Sequence, residues 1–294
     1  MSTAFLPSGL PDRIHQDAAR AYSINQTLLA YFSECGFELI APPLMEYASA
    51  LEKYSSPQAV AQSFRMLDPL SGELMAVRSD MTPQIMRIAG TTMAKAPRPL
   101  TVSYSGNVVR VNPDGLRTRR QYLQVGIELF GADENAEATI LSTITKALEK
   151  VGLNSLTLSI SQPGALKAWL ETLPPKARAD ASDALSMRDE AALRALGHTE
   201  IADILAADGT LGTADNKAID LLTKDAAGCS NIAQTHLDAL DNSYGDYFSG
   251  IGFAIYANEQ AVEIGRGGRY QTPEGEEAVG FTLYIEDILP LASE

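Results

Sequence analysis

A glutamine and a glutamate share one face of a predicted strand. The strand covers residues 121–130, and side chains two positions apart in a strand point to the same side of the sheet. The apolar face consists of every second residue: Leu123, Val125, Ile127 and Leu129. On the other face, Gln124 and Glu128 flank Gly126, which leaves room for a small polar ligand. The same alternation is typical of an antiparallel strand with one face in water, and this segment alone favours that ordinary interpretation.

A second polar group precedes a predicted helix at residues 82–93. Arg78, Asp80 and Thr82 lie within five residues of one another, and Arg110 ends a predicted strand. Arginine, carboxylate and hydroxyl groups together match the charged ends of an amino acid. An ordinary surface ion pair, worth about 0 to 1 kcal/mol, accounts for the same residues. The pattern leaves both interpretations open.

The run from Gly265 to Tyr270 reads Gly-Arg-Gly-Gly-Arg-Tyr. It resembles a glycine-rich phosphate loop but lacks the lysine and the hydroxyl residue of a P-loop, and it opens no clear helix. We therefore predict a tight turn between strands rather than a nucleotide cradle. The glycines would also allow the backbone to pass close to a ligand.

Metal and nucleophile chemistry find little support. His15, His198 and His236 have no partners at metal-ligand spacing. Cys35 and Cys229 are far apart, and their low number favours free thiols over a disulfide. We predict no metal site, no cofactor and no catalytic residue.

The helices and strands expected along the chain indicate an α+β fold. Helices are expected at residues 12–35, 82–93 and 134–151. Strand signals occur at residues 37–40, 64–77 (a hairpin), 100–111, 121–130, 155–160, 252–257, 261–265 and 279–282. Residues 163–241 are rich in alanine, leucine, aspartate and lysine without strand-like alternation. We therefore predict a core domain of residues 1–162 and 242–294, interrupted by a helical insertion at 163–241.

Charge and hydropathy narrow the possible partners. The 294 residues carry a formal net charge of −14, which repels phosphate backbones and disfavours a tRNA partner. No run of about 18 apolar residues occurs, so a transmembrane helix is excluded. Residues 1–10 lack the pattern of a secretory signal. We expect a cytoplasmic protein.

Taken together, these segments resemble the class II aminoacyl-tRNA synthetases in their histidyl branch. The helix before Gly36 and the run from Ala41 to Glu46 are similar to motif 1, which forms the dimer interface in that family. Residues 105–131 are similar to motif 2, and Gly267 to Tyr270 resembles the histidine-pocket signature. The resemblance implies an antiparallel sheet flanked by helices, with a small helical insertion, and a self-dimer formed through motif 1.

Departures from the family argue against synthetase activity. Residues 280–287 align with motif 3, but Asp287 replaces the arginine that grips ATP in the synthetases. Losing one preorganised donor typically costs about 10²–10³ in rate, and a reversed charge should cost more. Ser243 falls at the position of the family's catalytic arginine. From the short sequence after motif 3 we expect no anticodon-binding domain.

A shortened relative with these losses resembles the regulatory subunits of ATP phosphoribosyltransferase, which act in the first step of histidine biosynthesis. The resemblance implies a non-catalytic protein that a short-form catalytic subunit requires for its activity. It also implies histidine as the feedback effector and no tRNA partner. Two alternatives stay open: an amino-acid-activating ligase with a non-tRNA acceptor, and a scaffold with a dead pocket.

Carried over by position, six residues would form the histidine site. Three would meet the ammonium group: Asp80, Thr82 and Gln124. Arg110 would face the carboxylate, and Glu128 and Tyr270 would face the imidazole. Phe248 departs from the pattern, because the synthetases have a tyrosine there, and the imidazole pocket loses one hydroxyl.

Overall fold

The computed structural model describes residues 5–113, 118–207, 209–212, 215–241, 247–257 and 262–292. Its strands are β1 (Glu38–Ile40), β2 (Met45–Tyr47), β3 (Arg65–Leu67), β4 (Leu74–Val77), β5 (Leu100–Val109), β6 (Gln121–Phe130), β7 (Leu156–Ser161), β8 (Ile232–Leu237), β9 (Gly252–Ala257), β10 (Val262–Gln271) and β11 (Glu277–Tyr284). Eight of them form one sheet in the order β1-β5-β6-β11-β10-β9-β7-β8. Neighbouring strands are antiparallel except for the pairs β1–β5 and β7–β8. The predicted mostly antiparallel α+β fold is confirmed.

Helices flank this sheet. They are α1 (His15–Glu34), α2 (Ala48–Tyr54), α3 (Pro57–Ala61), α4 (Thr82–Gly90), α5 (Ala136–Lys150), α6 (Pro163–Glu171), α7 (Pro175–Ser186), α8 (Glu190–Ala195), α9 (Thr199–Ala207), α10 (Asn216–Gly228) and α11 (Ile285–Ile288). In α1 the buried residues Ala21, Ile24, Leu28 and Phe32 recur at helical spacing and pack on the sheet. The chain turns after α1 at Gly36, whose φ of 88° suits glycine.

Strand β6 is buried on both faces. Val125, Ile127 and Leu129 pack against α1 and α5 in the main apolar core. Tyr122 and Phe130 belong to a second apolar cluster on the opposite face, together with Ile85 of α4. The interpretation of a strand with one face in water is therefore wrong. The polar residues on its second face, Gln124 and Glu128, are there because this face borders a pocket, not because it meets solvent.

A small sheet of three strands, in the order β2-β4-β3, forms a separate unit beside α2 and α4. The predicted hairpin at residues 64–77 is confirmed, and the Asp68 carboxylate accepts hydrogen bonds from the Leu70 and Ser71 backbone amides in its turn. Strand β2, which follows Pro42 and Pro43, is an edge strand of this small sheet.

Between residues 163 and 241 the helices α6 to α10 are followed by a strand. Strand β8 joins the large sheet beside β7, and Ile219 and Leu222 of α10 pack in the main core. The expectation of a segment without strands is therefore wrong. The sequence did not indicate β8 because this exposed edge strand is polar and shows no alternation. The division into a core and an insertion at 163–241 stays a prediction.

Two local predictions differ from the structure. Helix α4 ends at Gly90 rather than at residue 93. The run from Gly265 to Tyr270 is not a turn, because it lies within β10, between β9 and β11. A Cβ at Gly267 would lie 2.1 Å from the Gly280 carbonyl oxygen. Glycine there allows close packing of strands rather than chain reversal. Among the described residues, no helix is both long and apolar enough to cross a bilayer.

Candidate functional site

A cavity of about 250 Å³ opens on the face of the large sheet covered by α4. Strands β6, β10 and β11 form its floor, and the segment before β9 closes one side. Five of the six predicted ligand-binding residues line it: Asp80, Thr82, Arg110, Glu128 and Tyr270. The sequence places these residues up to 190 positions apart, and the sheet brings them to one site.

Glu128 lies at the closed end of the pocket and is 1% exposed. One carboxyl oxygen accepts hydrogen bonds from the Thr82 hydroxyl at 3.0 Å and the Tyr104 hydroxyl at 3.2 Å. The other accepts one from the Tyr270 hydroxyl at 2.8 Å. Burial raises the pKa of Glu128 to about 8, outweighing the hydrogen bonds, which lower it, and the Asp80 charge adds to the rise. At neutral pH this carboxyl therefore tends to hold its proton.

Glycines on neighbouring strands make room for this carboxyl group and its partner. Gly280 of β11 lies opposite Glu128 in the strand register, and a Cβ there would lie 1.6 Å from the carboxyl oxygen. A Cβ at Gly126 would lie 2.3 Å from the Tyr104 hydroxyl. The floor of the pocket thus requires glycine at both positions.

An aromatic wall faces Glu128. The ring of Tyr247 lies 5.2 Å from that of Tyr270 and 5.1 Å from that of Phe248. The Tyr247 hydroxyl is shielded from water and has no hydrogen-bond partner among the described residues. Phe248, which lacks a tyrosine's hydroxyl, was expected here from the sequence, whereas Tyr247 was not. Its position next to Phe248 in the sequence was the signal that could have identified it.

Gln124 lies beneath the pocket rather than on its wall. It is fully buried, and its amide oxygen accepts the Met81 backbone N–H at 2.9 Å. This bond holds the segment that carries Asp80 and Thr82. The side-chain nitrogen is buried without a hydrogen-bond partner in the part of the chain that the structure describes. A direct contact with a ligand ammonium group stays a prediction.

Two arginines named from the sequence occupy different surroundings. Arg110 lies over the rings of Tyr122 and Tyr284, at 5.5 and 5.9 Å, and its Nε donates to the Ser79 carbonyl. It lines the pocket. Arg78 does not: its Nε donates to the Asn107 carbonyl at 2.8 Å. Its Nη1 donates to the carbonyl oxygens of Pro42 and Pro43.

A third arginine was not expected in the site. Arg266 of β10 lines the pocket and forms an ion pair with Glu263, with an Nη2–Oε2 distance of 2.5 Å. Asp287, which replaces the motif 3 arginine, is half-buried on α11 and is not among the described residues that line the pocket. The aspartate thus does not face the cavity directly. Ser243 lies outside the described residues.

No metal-binding cluster of three histidine, cysteine, aspartate or glutamate residues occurs within the described ranges. His198 packs edge-to-face on Trp169 at 5.2 Å, and His236 is exposed. Cys35 and Cys229 are free thiols.

The chain is similar to known proteins over nearly its whole length. The family model for histidyl-tRNA synthetases matches residues 9–288. The ATP phosphoribosyltransferase regulatory subunit of Rhodospirillum centenum is 36% identical, over 98% of this chain and 80% of its own length. That of Paramagnetospirillum magneticum is 33% identical, over 97% of this chain and 81% of its own length.

Solved structures share the fold. A protein from Bacillus halodurans, described as an ATP phosphoribosyltransferase regulatory subunit/histidyl-tRNA synthetase, matches with a TM-score of 0.76 and 22% identity. The match covers 100% of this chain and 85% of that one. A chain of the ATP phosphoribosyl transferase (HisG:HisZ) complex from Thermotoga maritima matches with a TM-score of 0.71 and 15% identity, covering 92% of this chain and 98% of that one. At these identities the likeness concerns the fold.

Proposed function

This chain belongs to the ATP phosphoribosyltransferase regulatory subunits, a branch of the histidyl-tRNA synthetase family, and from that premise we propose what its pocket does. The protein is a non-catalytic subunit in histidine biosynthesis that works beside a catalytic phosphoribosyltransferase subunit. We propose that the catalytic partner is of the short form and that histidine binds the pocket as a feedback effector. Similarity to the regulatory subunits over 97–98% of this chain supports the partner, and the residues that line the pocket support the effector.

The observation that carries the histidine proposal is the buried carboxyl of Glu128. Imidazole has one nitrogen that donates and one that accepts hydrogen bonds, and the site offers both kinds of group: the Glu128 carboxyl and the Tyr270 hydroxyl. Asp80 and Arg110 line the more open part of the pocket, where they can pair with an ammonium and a carboxylate group. The pocket is therefore polar at both ends of a histidine-sized ligand.

Feedback requires more than binding. Histidine shifts the assembly only if it binds one quaternary state more tightly than another, since equal affinity shifts nothing. A coupling of about 1–3 kcal/mol, or roughly 5- to 150-fold in affinity, is typical of such linkage. The proposal therefore concerns the assembled complex, not the isolated chain.

Reconstitution with a short-form catalytic subunit tests the proposal. We expect the wild-type chain to raise the rate of phosphoribosyl transfer and histidine to lower it. Glu128→Gln removes the acidic O–H while keeping the shape of the side chain, so half-maximal inhibition should need about 3- to 10-fold more histidine, the loss expected for one hydrogen bond. Glu276→Gln, which changes an ion pair with Arg98 outside the pocket, should respond to histidine as wild type does. A chain that leaves the catalytic subunit unaffected would contradict the subunit role.

Self-dimerisation is part of the proposal. Large apolar side chains that are about half or more exposed occur near β1, β2 and the β3–β4 hairpin: Leu39, Leu44, Tyr47, Met66, Leu67 and Leu70. Exposed apolar surface of this kind favours a protein partner. A cytoplasmic location and the absence of a tRNA partner also belong to the proposal, supported by the two free thiols and the net charge of −14.

An amino-acid-activating ligase is the second candidate. It is favoured by one observation, the presence of Arg110 and Arg266 on the pocket wall, where cations would meet a triphosphate. A histidine-dependent exchange of pyrophosphate into ATP by the isolated chain would support it. The regulatory proposal predicts no such exchange.

A further inference from the structure

Arg266 and Glu263 share a face of β10 because of a β-bulge. Residues three apart on a regular strand point to opposite faces. In the pairing of β10 with β9, Glu263 lies opposite Tyr256 and Gly265 lies opposite Ile255, so one extra residue is inserted between them. The bulge reverses the alternation and places both side chains on the same side. The bulge thus brings the Glu263 and Arg266 side chains to the same side of the strand.

The pair is bidentate. The Arg266 Nε lies 2.7 Å from Glu263 Oε1 and the Nη2 lies 2.5 Å from Oε2. The Glu263 side chain is 12% exposed and that of Arg266 is 29% exposed, so solvent screens the pair only in part. The Tyr256 hydroxyl donates to the same carboxylate at 3.4 Å. Burial, followed by the charge of Glu263, raises the pKa of Tyr256 to about 12.

We propose that Glu263 determines the specificity of the pocket by withdrawing the charge of Arg266 from any ligand. With Glu263 paired to Arg266, Asp80 opposite in charge to Arg110, and Glu128 protonated, the formal charges of these described residues cancel. A pocket with no net charge, whose positive and negative groups lie apart, suits a zwitterionic amino acid. It gives no net attraction to a phosphate-bearing ligand. The identity of the amino acid rests on the proposed function, whereas the exclusion of phosphates does not.

Removal of the carboxylate charge should therefore create an anion site. Glutamine at position 263 keeps an acceptor oxygen for Arg266 and preserves the packing, but it removes the negative charge that Glu263 places beside the guanidinium. We expect Glu263→Gln to bind inorganic pyrophosphate about 10- to 100-fold more tightly than wild type, the gain typical of a charge-assisted hydrogen bond. Isothermal titration calorimetry at low ionic strength, where screening is weakest, measures it.

Two variants separate this effect from a general change in charge. The double variant Glu263→Gln/Arg266→Gln should return to within about threefold of wild-type affinity for pyrophosphate, a difference of less than 1 kcal/mol. Glu276→Gln adds the same net charge beside Arg98, outside the pocket, and should show no gain. A gain in binding also requires a folded protein, so unfolding cannot imitate the expected result.

The inference is overturned if Glu263→Gln shows no gain, or if the gain persists without Arg266. Histidine titration of the wild-type chain is a separate arm of the same experiment. Failure of the wild type to bind histidine would contradict the proposed function, while an Arg266-dependent gain for pyrophosphate would still support the role of Glu263.

Discussion

At the residue scale, Glu128 differs from an ordinary carboxyl group because the fold removes water from it. Its pKa rises to about 8 from an ordinary value of 4.5, mainly through burial, despite hydrogen bonds from Tyr270, Thr82 and Tyr104. At neutral pH the pocket thus holds a largely protonated carboxyl group. A ligand with a basic ring nitrogen can accept a hydrogen bond from that acid, so the buried end of the pocket needs no ionised group.

The shifted pKa predicts a pH-dependent stability. Because the folded-state pKa is the higher one, the stability that protonated Glu128 contributes is fully present below pH 4.5 and is lost as the pH rises to about 8. Without histidine, wild type should therefore lose stability relative to Glu128→Gln across this window. The total loss should be on the order of 5 kcal/mol, at about 1.4 kcal/mol per pH unit. Urea unfolding at several pH values measures the difference, and a difference independent of pH would contradict the burial argument.

At the element scale, the pocket depends on how closely β6, β10 and β11 approach one another. Glycines at positions 126, 267 and 280 let side chains from one strand cross the backbone of the next. The Glu128 carboxyl occupies the space beside Gly280, directly across the β6–β11 ladder. Strand pairing, rather than loop geometry, therefore sets the position of the carboxyl group.

Filling that space should disrupt the site. A Cβ at position 280 would lie 1.6 Å from the Glu128 carboxyl oxygen, so Gly280→Ala must displace the carboxyl or the strand. We expect a loss of about 1–3 kcal/mol in the free energy of unfolding, as in other overpacked cores, and weaker histidine binding. Gly228→Ala, in open space at the end of α10, is the control and should be neutral or slightly stabilising. Chemical denaturation and calorimetry compare the two, and equal behaviour would refute the packing argument.

At the scale of the whole molecule, large exposed apolar side chains occur on and beside the three-stranded sheet. Leu67 on β3 is 66% exposed and Leu70 in the following turn is 95% exposed. Arg78 ties this region to the pocket, since it bonds carbonyls around Pro42 and Pro43 and directly precedes the segment that carries Asp80. An interface here would thus adjoin the ligand site through a buried guanidinium.

A charge on this surface should weaken self-association. Leu67→Asp removes roughly 1.5–3 kcal/mol of apolar burial per protomer and adds a carboxylate to desolvate, so the dimer dissociation constant should rise about 10-fold or more. Met187→Asp, at the C-cap of α7 where the side chain is 71% exposed, is the matched control and should leave association unchanged. Sedimentation equilibrium measures both, and an unaffected Leu67→Asp dimer would place the interface elsewhere.

Periodicity and turn residues were enough to predict the α+β class and most strands and helices, because these signals are local. The resemblance to a known family supplied six candidate site residues, and five of them line the pocket. Which polar groups face the cavity depended on the tertiary structure. It placed Gln124 under the Asp80 segment, removed Asp287 from the wall, and brought in Tyr247 and the bulge-paired Arg266 and Glu263. It also showed that the glycine run lies within a strand and that β8 completes the sheet edge. These outcomes depend on contacts between strands distant in sequence, and the alternation of a single strand carries no information about its neighbours.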